Sequence, residues 1–469
     1  MNHALRVDSV AFQYPQNQVG FGPVSFVVEP GECVLISGPS GSGKSTFARC
    51  LTGLIPHLYR GNFQGAVWLD GMRTDQTPLW ALMEKVGFVF QNPALQMLAP
   101  TVEEEILFGL ENLGLPRPVM RERVEEVLAP FGLLHFRHRS PQTLSGGEQQ
   151  KLALAAVMAR KPEILVLDEP LSMLDTTSAV DLVAHLSGWI NHGTTTVICE
   201  HRQAYLQELP RLRVEKLNPD SSAGRSLAEP LPKNGAQAQA QKIAIEGLRV
   251  ERGGNAILKG VSFSLQSGQV VALVGPNGVG KTTLFRTLAG FQAYEGKIQL
   301  DGGAEKPGFG MVFQNPDVQL FNASVREEIL YHFAKPDMDW YEWLLTMLDL
   351  QRCEQAPPLL LSEGEKRRVA LATVLMRRPG CGILLDEPAL GQDAAHKDTL
   401  LRLLRALAEQ GMFVLFSTHD LELAARADHL ILLGQDGIVR QGPAAQVMRD
   451  DAAWEKLRLV RPAWIHTPA

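Results

Sequence analysis

The chain has 469 residues, a formal net charge of −6 and 20% charged residues, with no run of Lys and Arg long enough to form a basic arm, which argues against nucleic acid as its ligand. Its five cysteines are scattered and never spaced C-x-x-C, so neither a disulfide framework nor a zinc site is indicated. No apolar run approaches the roughly 20 residues that span a bilayer, and the opening MNHALRVDSV has no secretory pattern, so any membrane role must pass through a partner.

At roughly 150 residues per domain the length predicts two to four domains, and an internal repeat shows how they are arranged. VLISGPSGSGKSTFARCLTG at 34–53 returns as VALVGPNGVGKTTLFRTLAG at 271–290, 237 residues further on. GFVFQNPALQML (87–98) returns as GMVFQNPDVQLF (310–321), and ILVLDEP (164–170) as GILLDEP (382–388). The separation shrinks to 223 at Gln91 and Gln314 and to 217 at Ser145 and Ser362, so the first copy carries insertions, one around HLYRGNFQG. Modules are expected at 1–217 and 242–448. Between them 218–241 is Ser-, Ala-, Pro-, Gly- and Gln-rich, a linker composition. A tail at 449–469 begins helix-like, and its tryptophans could pack on the second module.

In chain order, the short β-branched runs that end at glycine or acid, VLISG and ILVLDEP among them, predict buried strands of a parallel sheet. After the first comes Gly38, Gly41, Gly43, Lys44 and Ser45 in G-x-x-x-x-G-K-[ST] spacing, and Gly275, Gly278, Gly280, Lys281 and Thr282 repeat it; each match opens a helix. Glycines turn backbone N–H groups toward phosphate oxygens, the lysine reaches the β- and γ-phosphates, and the hydroxyl of Ser45 or Thr282 can ligate Mg²⁺. The expected ATP contacts are Gly38, Pro39, Ser40, Gly41, Ser42, Gly43, Lys44, Ser45 and Thr46 in one copy, and Gly275, Pro276, Asn277, Gly278, Val279, Gly280, Lys281, Thr282 and Thr283 in the other. Asp168 and Asp386 end apolar strands where a carboxylate can hold Mg²⁺, and Glu169 and Glu387 follow them, placed to orient or deprotonate an attacking water. Helix-like segments, TVEEEILFGLENLGL and SVREEILYHF, lie between these motifs. In HFRHR, His135 and His138 stand three apart with no Cys or carboxylate ligand beside them and read as a solvated face.

About twenty residues before Asp168 stands Leu144-Ser145-Gly146-Gly147-Glu148, and with it the chain resembles the ABC ATPases, whose signature is LSGGQ. The resemblance covers both modules and implies an α/β fold: two tandem P-loop NTPase domains of ABC ATPase type, each with a mainly parallel sheet core, an antiparallel β part and a helical subdomain. It implies that Gln91 and Gln314 are Q-loop residues near the metal, that His201 and His419 are switch histidines acting with Glu169 and Glu387, and that Asp175 and Asp393 lie in the loop after the catalytic glutamate. Tyr14 matches the aromatic that stacks on adenine; Arg252 holds the corresponding register in the second copy, where a guanidinium can also lie on a purine face. It further implies head-to-tail pairing of the two domains. Lys44, Asp168, Glu169 and His201 would then share one ATP with Ser362 and Gly364, and Lys281, Asp386, Glu387 and His419 the other with Ser145 and Gly147.

The VFQNPALQMLAPTVEEEILFG and VFQNPDVQLFNASVREEILY runs resemble the wording of energy-coupling-factor (ECF) and cobalt-type importers. That resemblance implies an ATP- and Mg²⁺-dependent ATPase at the cytoplasmic face of the cell membrane, energising import of a vitamin or metal ion with an integral membrane subunit and a small membrane substrate-binding subunit. The alternatives are the fused ATPase of a simple-sugar importer and a tandem ABC ATPase acting on ribosomes or DNA. The last predicts a long charged linker, which 218–241 is not.

The second signature reads LSEGE, with Glu363 where the first copy has Gly146. Were positive φ required there, a side chain would cost roughly 1–2 kcal/mol, and a carboxylate aimed at phosphate would repel it. A carboxylate at a helix N-terminus instead gains about 0.3–1 kcal/mol, and Arg367, four residues on, is spaced to pair with it. The expectation is unequal sites, with the Lys281–Ser145 site the faster.

Overall fold

The computed structural model describes residues 3–15, 20–39, 41–217, 241–252, 254–301, 308–390, 392 and 394–460. Ser40, Asp393, all of the linker but Gln241, and the last nine residues of the tail lie outside the described residues. The chain divides into two compact units, Met1–Gly224 and Arg225–Ala469.

Unit 1 contains two sheets. The antiparallel one is formed by β1 (Leu5–Gln13), β2 (Gly20–Val28), β4 (Asn62–Leu69) and β5 (Met72–Arg73), in the order β2-β1-β4-β5. The parallel one comprises β3 (Cys33–Ser37), β6 (Val86–Val89), β7 (Ile164–Asp168), β8 (Thr195–Cys199) and β9 (Leu212–Lys216), in the order β6-β7-β8-β3-β9. All residues of β3, β6, β7 and β8 are buried, because both faces of the sheet are covered, and this is why they read as continuous apolar runs. Unit 2 repeats the plan. Strands β10 (Lys242–Arg252), β11 (Asn255–Gln266) and β13 (Glu295–Leu300) form the antiparallel part. Its core sheet, β14-β15-β16-β12-β17-β18, uses β12 (Val270–Val274), β14 (Phe309–Val312), β15 (Gly382–Leu385), β16 (Phe413–Ser417), β17 (His429–Gly434) and β18 (Gly437–Pro443). Strand β18 closes that sheet antiparallel to β17. The α/β reading is thus borne out, including the antiparallel part and a helical segment in each unit.

The helical segments pack on long helices that begin at the repeated LSxGE: Gly146–Ala159 with Val102–Glu111 and Arg117–Leu128 in unit 1, Glu363–Met376 with Val325–Leu330 and Met338–Met347 in unit 2. In unit 2, Trp340 and Trp343 stack at 4.9 Å and the Trp340 indole donates to Leu375 O. The tail helix Asp451–Leu457 buries Trp454 in the unit 2 core, its indole N–H on Val447 O at 3.1 Å. Trp464, the tail's other tryptophan, falls outside the described residues.

Candidate functional site

In each unit the chemistry gathers at the carboxyl ends of the parallel strands, where the loops leave the sheet and strand-end groups converge. The phosphate loops follow β3 and β12 and run into the helices Lys44–Leu51 and Lys281–Leu288. Gly43 and Gly280 cap these helices at φ +87° and +105°. An added Cβ would also meet Phe21 Cβ at 3.0 Å in one unit and Leu258 Cδ2 at 2.8 Å in the other, so glycine is required at both. Lys44 Nζ donates to Gly38 O and Pro39 O, both at 2.9 Å; Lys281 Nζ donates to Gly275 O at 2.8 Å and Pro276 O at 3.2 Å. Ser42 Oγ is buried in the first loop with no hydrogen-bond partner among the described residues, a donor that a phosphate oxygen would satisfy.

Asp168 ends β7 and accepts from Ser45 Oγ at 3.1 Å; Asp386 follows β15 and accepts from Thr282 Oγ1 and Ser417 Oγ, each at 2.6 Å. Burial pushes the Asp168 carboxyl up to about 7, with the Glu169 charge adding to it. Hard oxygen donors meeting at a buried carboxylate fit Mg²⁺ in both units. Glu169 and Glu387 each sit in the left-handed region, at φ +49° and +52°, an uncommon conformation for a non-glycine residue. Glu169 meets His201 Nε2 at 3.3 Å and accepts from Gln91 Nε2 at 2.8 Å. Glu387 meets His419 Nε2 at 3.2 Å, accepts from the His419 backbone N–H, and is pushed up to about 7 by burial first, the Lys281 charge opposing. Lys281 Nζ lies 3.1 Å from that same imidazole.

Each unit therefore brings together its lysine, hydroxyl, aspartate, glutamate and histidine. The two glutamines diverge: Gln91 reaches its glutamate, whereas Gln314 is exposed and its carbonyl accepts from Arg367. Tyr14 is half-buried, edge-on to Phe12, with its hydroxyl on Arg49 at 3.2 Å. Arg252 lies exposed at the end of β10. Asp175 caps the helix Thr176–Asn191 by accepting from Ser178 N at 2.8 Å. Ser145 and Ser362 cap the signature helices through reciprocal boxes with Glu148 and Glu365, and Gly147 and Gly364 are buried in the first turns.

Glu363 is the first residue of its helix and is absent from the positive-φ positions, so the backbone strain considered for it does not arise. Its carboxylate lies 3.7 Å from Lys366, while Arg367 turns inward. The i,i+4 pairing expected from spacing is replaced by this arrangement. An exposed helical pair contributes only about 0.2–0.5 kcal/mol, less than a guanidinium gains from buried carbonyl acceptors.

Sequence reasoning missed a scaffold beneath the Q-N-P runs. Gln96 accepts from Phe90 N and donates to Phe88 O, and Gln319 does the same with Phe313 N and Met311 O. The buried Glu105 accepts from Leu98 N and Ala99 N, and Glu328 from Phe321 N and Asn322 N, all at 2.8 Å. The signal was available: polar residues recur at fixed positions in both copies, where one-sided helices should be apolar.

The ABC transporter family matches residues 21–172 and 258–390, more than half of the chain. The chain belongs to the ABC transporter ATP-binding proteins. It is 34% identical to a protein of Bacillus subtilis (strain 168) provisionally named HMP/thiamine import ATP-binding protein, over 98% of this chain and 95% of that relative. It is 32% identical to an ABC transporter ATP-binding protein, also provisionally named, of Methanosarcina acetivorans, over 94% and 86%. Among solved structures, an archaeal ribosome recycling factor in complex with a ribosomal stalk protein superposes with a TM-score of 0.64 over 95% of this chain and 92% of that one; at 21% identity this shows the fold alone. Proteins of this family are ATPases coupled to transport, and their ATP-binding proteins work with membrane transporter components.

Proposed function

We propose that this ABC ATPase energises an ECF-type importer of a vitamin or metal ion from the cytoplasmic face of the membrane, with ATPase domains at 1–217 and 242–448 joined by the 218–241 linker. The observation that carries the reading is a pair of exposed apolar residues on the same scaffolded turn of each unit. Leu95 and Leu98 are 74% and 73% exposed, and Val318 and Phe321, at the same register, 66% and 63%. Each turn is fixed from below by the glutamine and the buried glutamate described above, so side chains are held out toward solvent by a rigid base. Among the described residues no helix is long and apolar enough to cross a membrane, so translocation requires a membrane subunit, and these turns suit an apolar helix from it. A relative named for HMP/thiamine import supports a vitamin-type substrate.

In this reading each ATP is held by the phosphate loop of one domain and the signature of the other, Lys44 with Ser362 and Gly364, and Lys281 with Ser145 and Gly147. Tyr14, and Arg252 in the other site, cover the base. The lysines turn from their own loop carbonyls to the phosphates, whose negative charge exceeds the pull of two carbonyl dipoles. Ser45, Asp168 and Gln91, and Thr282, Asp386 and Gln314, would hold Mg²⁺, which supplies charge neutralisation of the phosphates when bound. Glu169 and Glu387 accept a proton from the attacking water, and His201 and His419, against these carboxylates, hold the γ-phosphate. Closure on ATP and release after hydrolysis would drive the membrane subunit.

Affinity purification of the full chain from native membranes tests this. Recovery of a multi-helix membrane protein with a small membrane protein is expected, and Leu98→Glu with Phe321→Glu should abolish it while ATP binding persists. Recovery with ribosomes, or capture that survives the double variant, would overturn it.

A further inference from the structure

The two units differ in how the turn after the first Q-N-P strand is tied to the catalytic glutamate. In unit 1 the tie is the Gln91 side chain, Nε2 on Glu169 Oε2 at 2.8 Å. In unit 2 Gln314 is exposed, and the tie runs through the backbone: Arg367 Nη1 donates to Gln314 O at 2.8 Å and to Glu387 O at 3.2 Å. Arg367 is only 7% exposed. It stands five residues beyond Ser362, on the helix whose first turn would face the other ATP.

Strand geometry explains why one guanidinium can take both carbonyls. Strands β14 and β15 are parallel neighbours in register, Val312 against Leu385, so their continuations at Gln314 and Glu387 leave the sheet side by side. Two N–H groups of a planar guanidinium, or one shared between acceptors, can bridge such a pair; a lysine reaches as a single point. At the same place in unit 1 stands Gln150, fully buried, and neither its Oε1 nor its Nε2 finds a hydrogen-bond partner among the described residues. The backbone bridge is therefore a property of unit 2, and a glutamine is sterically tolerated at this site in the same fold.

We infer that Arg367 is a positioning residue that holds the apolar turn of unit 2 and the water-activating Glu387 in one register, so that displacement of the turn is felt at Glu387. Unit 1 makes the corresponding link through Gln91, a side chain that can let go without moving backbone. This rests on the reading of Glu387 as the water-activating carboxylate.

Steady-state ATPase of the full chain tests it, in a Glu169→Gln background that leaves the Lys281 site to be observed. Arg367→Gln, which installs the unit 1 residue, should lower kcat roughly tenfold or more with KM for ATP within about twofold, and Arg367→Lys should recover part of the loss. Amide hydrogen exchange at 313–321 should accelerate in Arg367→Gln, and exchange at 90–98 should not change. Gln150→Ala in a Glu387→Gln background should leave kcat within about twofold. A kcat unchanged by Arg367→Gln, a matching rise in KM, unaltered exchange at 313–321, or no difference between the lysine and glutamine variants would overturn the inference. Glu387→Gln alone separates the two layers: if it remained fully active, the role of Glu387 itself would fail, whatever Arg367 does.

Discussion

Beside the strand-end aspartate, unit 1 has Cys199, paired with Asp168, and unit 2 has Ser417, hydrogen-bonded to Asp386. The Ser417 hydroxyl donates to Asp386 at 2.6 Å and also accepts from the Glu387 backbone N–H at 3.0 Å. The Cys199 thiol, a weak donor, lies 3.7 Å from Lys44 O, leaving Asp168 with the Ser45 bond. Burial pushes Asp168 in unit 1 and Glu387 in unit 2 each up to about 7. A different outcome is seen in the helical segments: Glu103 pairs with Arg137 at 2.6 Å in unit 1, and Arg326 with Glu354 at 2.7 Å in unit 2, with the charges exchanged between the same two places. There the contact is kept while the residues making it differ.

The largest effect should come from Glu169 and Glu387, the carboxylates proposed to activate water. If the sites are unequal in the sense expected, Glu387→Gln removes the faster site and should lower ATPase activity by about a hundredfold or more, whereas Glu169→Gln should leave a larger residue of activity. Single-turnover hydrolysis by the two purified variants checks this. Equal residual activity would mean that neither Glu363 nor the Arg367 bridge makes the sites differ.

A smaller effect concerns pH. Asp168 and Glu387 are raised in the folded chain above the ordinary carboxylate range, so their contribution to stability is complete below that range and is lost as pH rises through about 7. Without nucleotide, the melting temperature should fall between pH 6 and pH 8, by roughly 3–6 °C. Cys199→Ser gives Asp168 the second hydroxyl its counterpart has and should flatten the slope, as should Glu387→Gln. Melting curves in which both variants keep the wild-type slope would detach these carboxyls from it.

The parts legible in the sequence were those whose chemistry is carried by adjacent residues. Both phosphate loops, the Asp-Glu strand ends and the buried strands read directly, because a glycine-rich turn or a fully covered strand needs particular residues in a row. What did not read were contacts between distant segments. Gln96 and Glu105 serve backbone amides, whose positions no side-chain pattern encodes. Arg367 looked like an exposed helical partner for Glu363 until strand-end carbonyls, 20 and 53 residues away in the chain, claimed it. In unit 1, Glu200 and Arg202 on either side of His201 fasten the loop after Glu169: Glu200 accepts from Leu171 N at 3.0 Å, and Arg202 donates to Leu171 O and Leu174 O at 2.7 and 3.0 Å. Unit 2 has Thr418 and Asp420 at those positions, and Asp420 turns to Lys397 at 2.6 Å.

The smallest effect concerns the altered signature, and it should depend on which unit is changed. Glu363→Gly removes a carboxylate that lies at a helix N-terminus beside Lys366, without relieving any strain, and should cost about 0.5 kcal/mol. The reverse change meets an obstacle: a Cβ on Gly146 would lie 3.1 Å from Met173 Sδ, so Gly146→Glu must push that side chain aside and should cost about 1–2 kcal/mol. In the sequence register of the two copies, Met173 corresponds to Gly391. Combining Gly146→Glu with Met173→Gly should therefore recover part of the loss, a coupling readable in a urea double-mutant cycle. If the two substitutions simply added, Met173 would not be what keeps residue 146 a glycine.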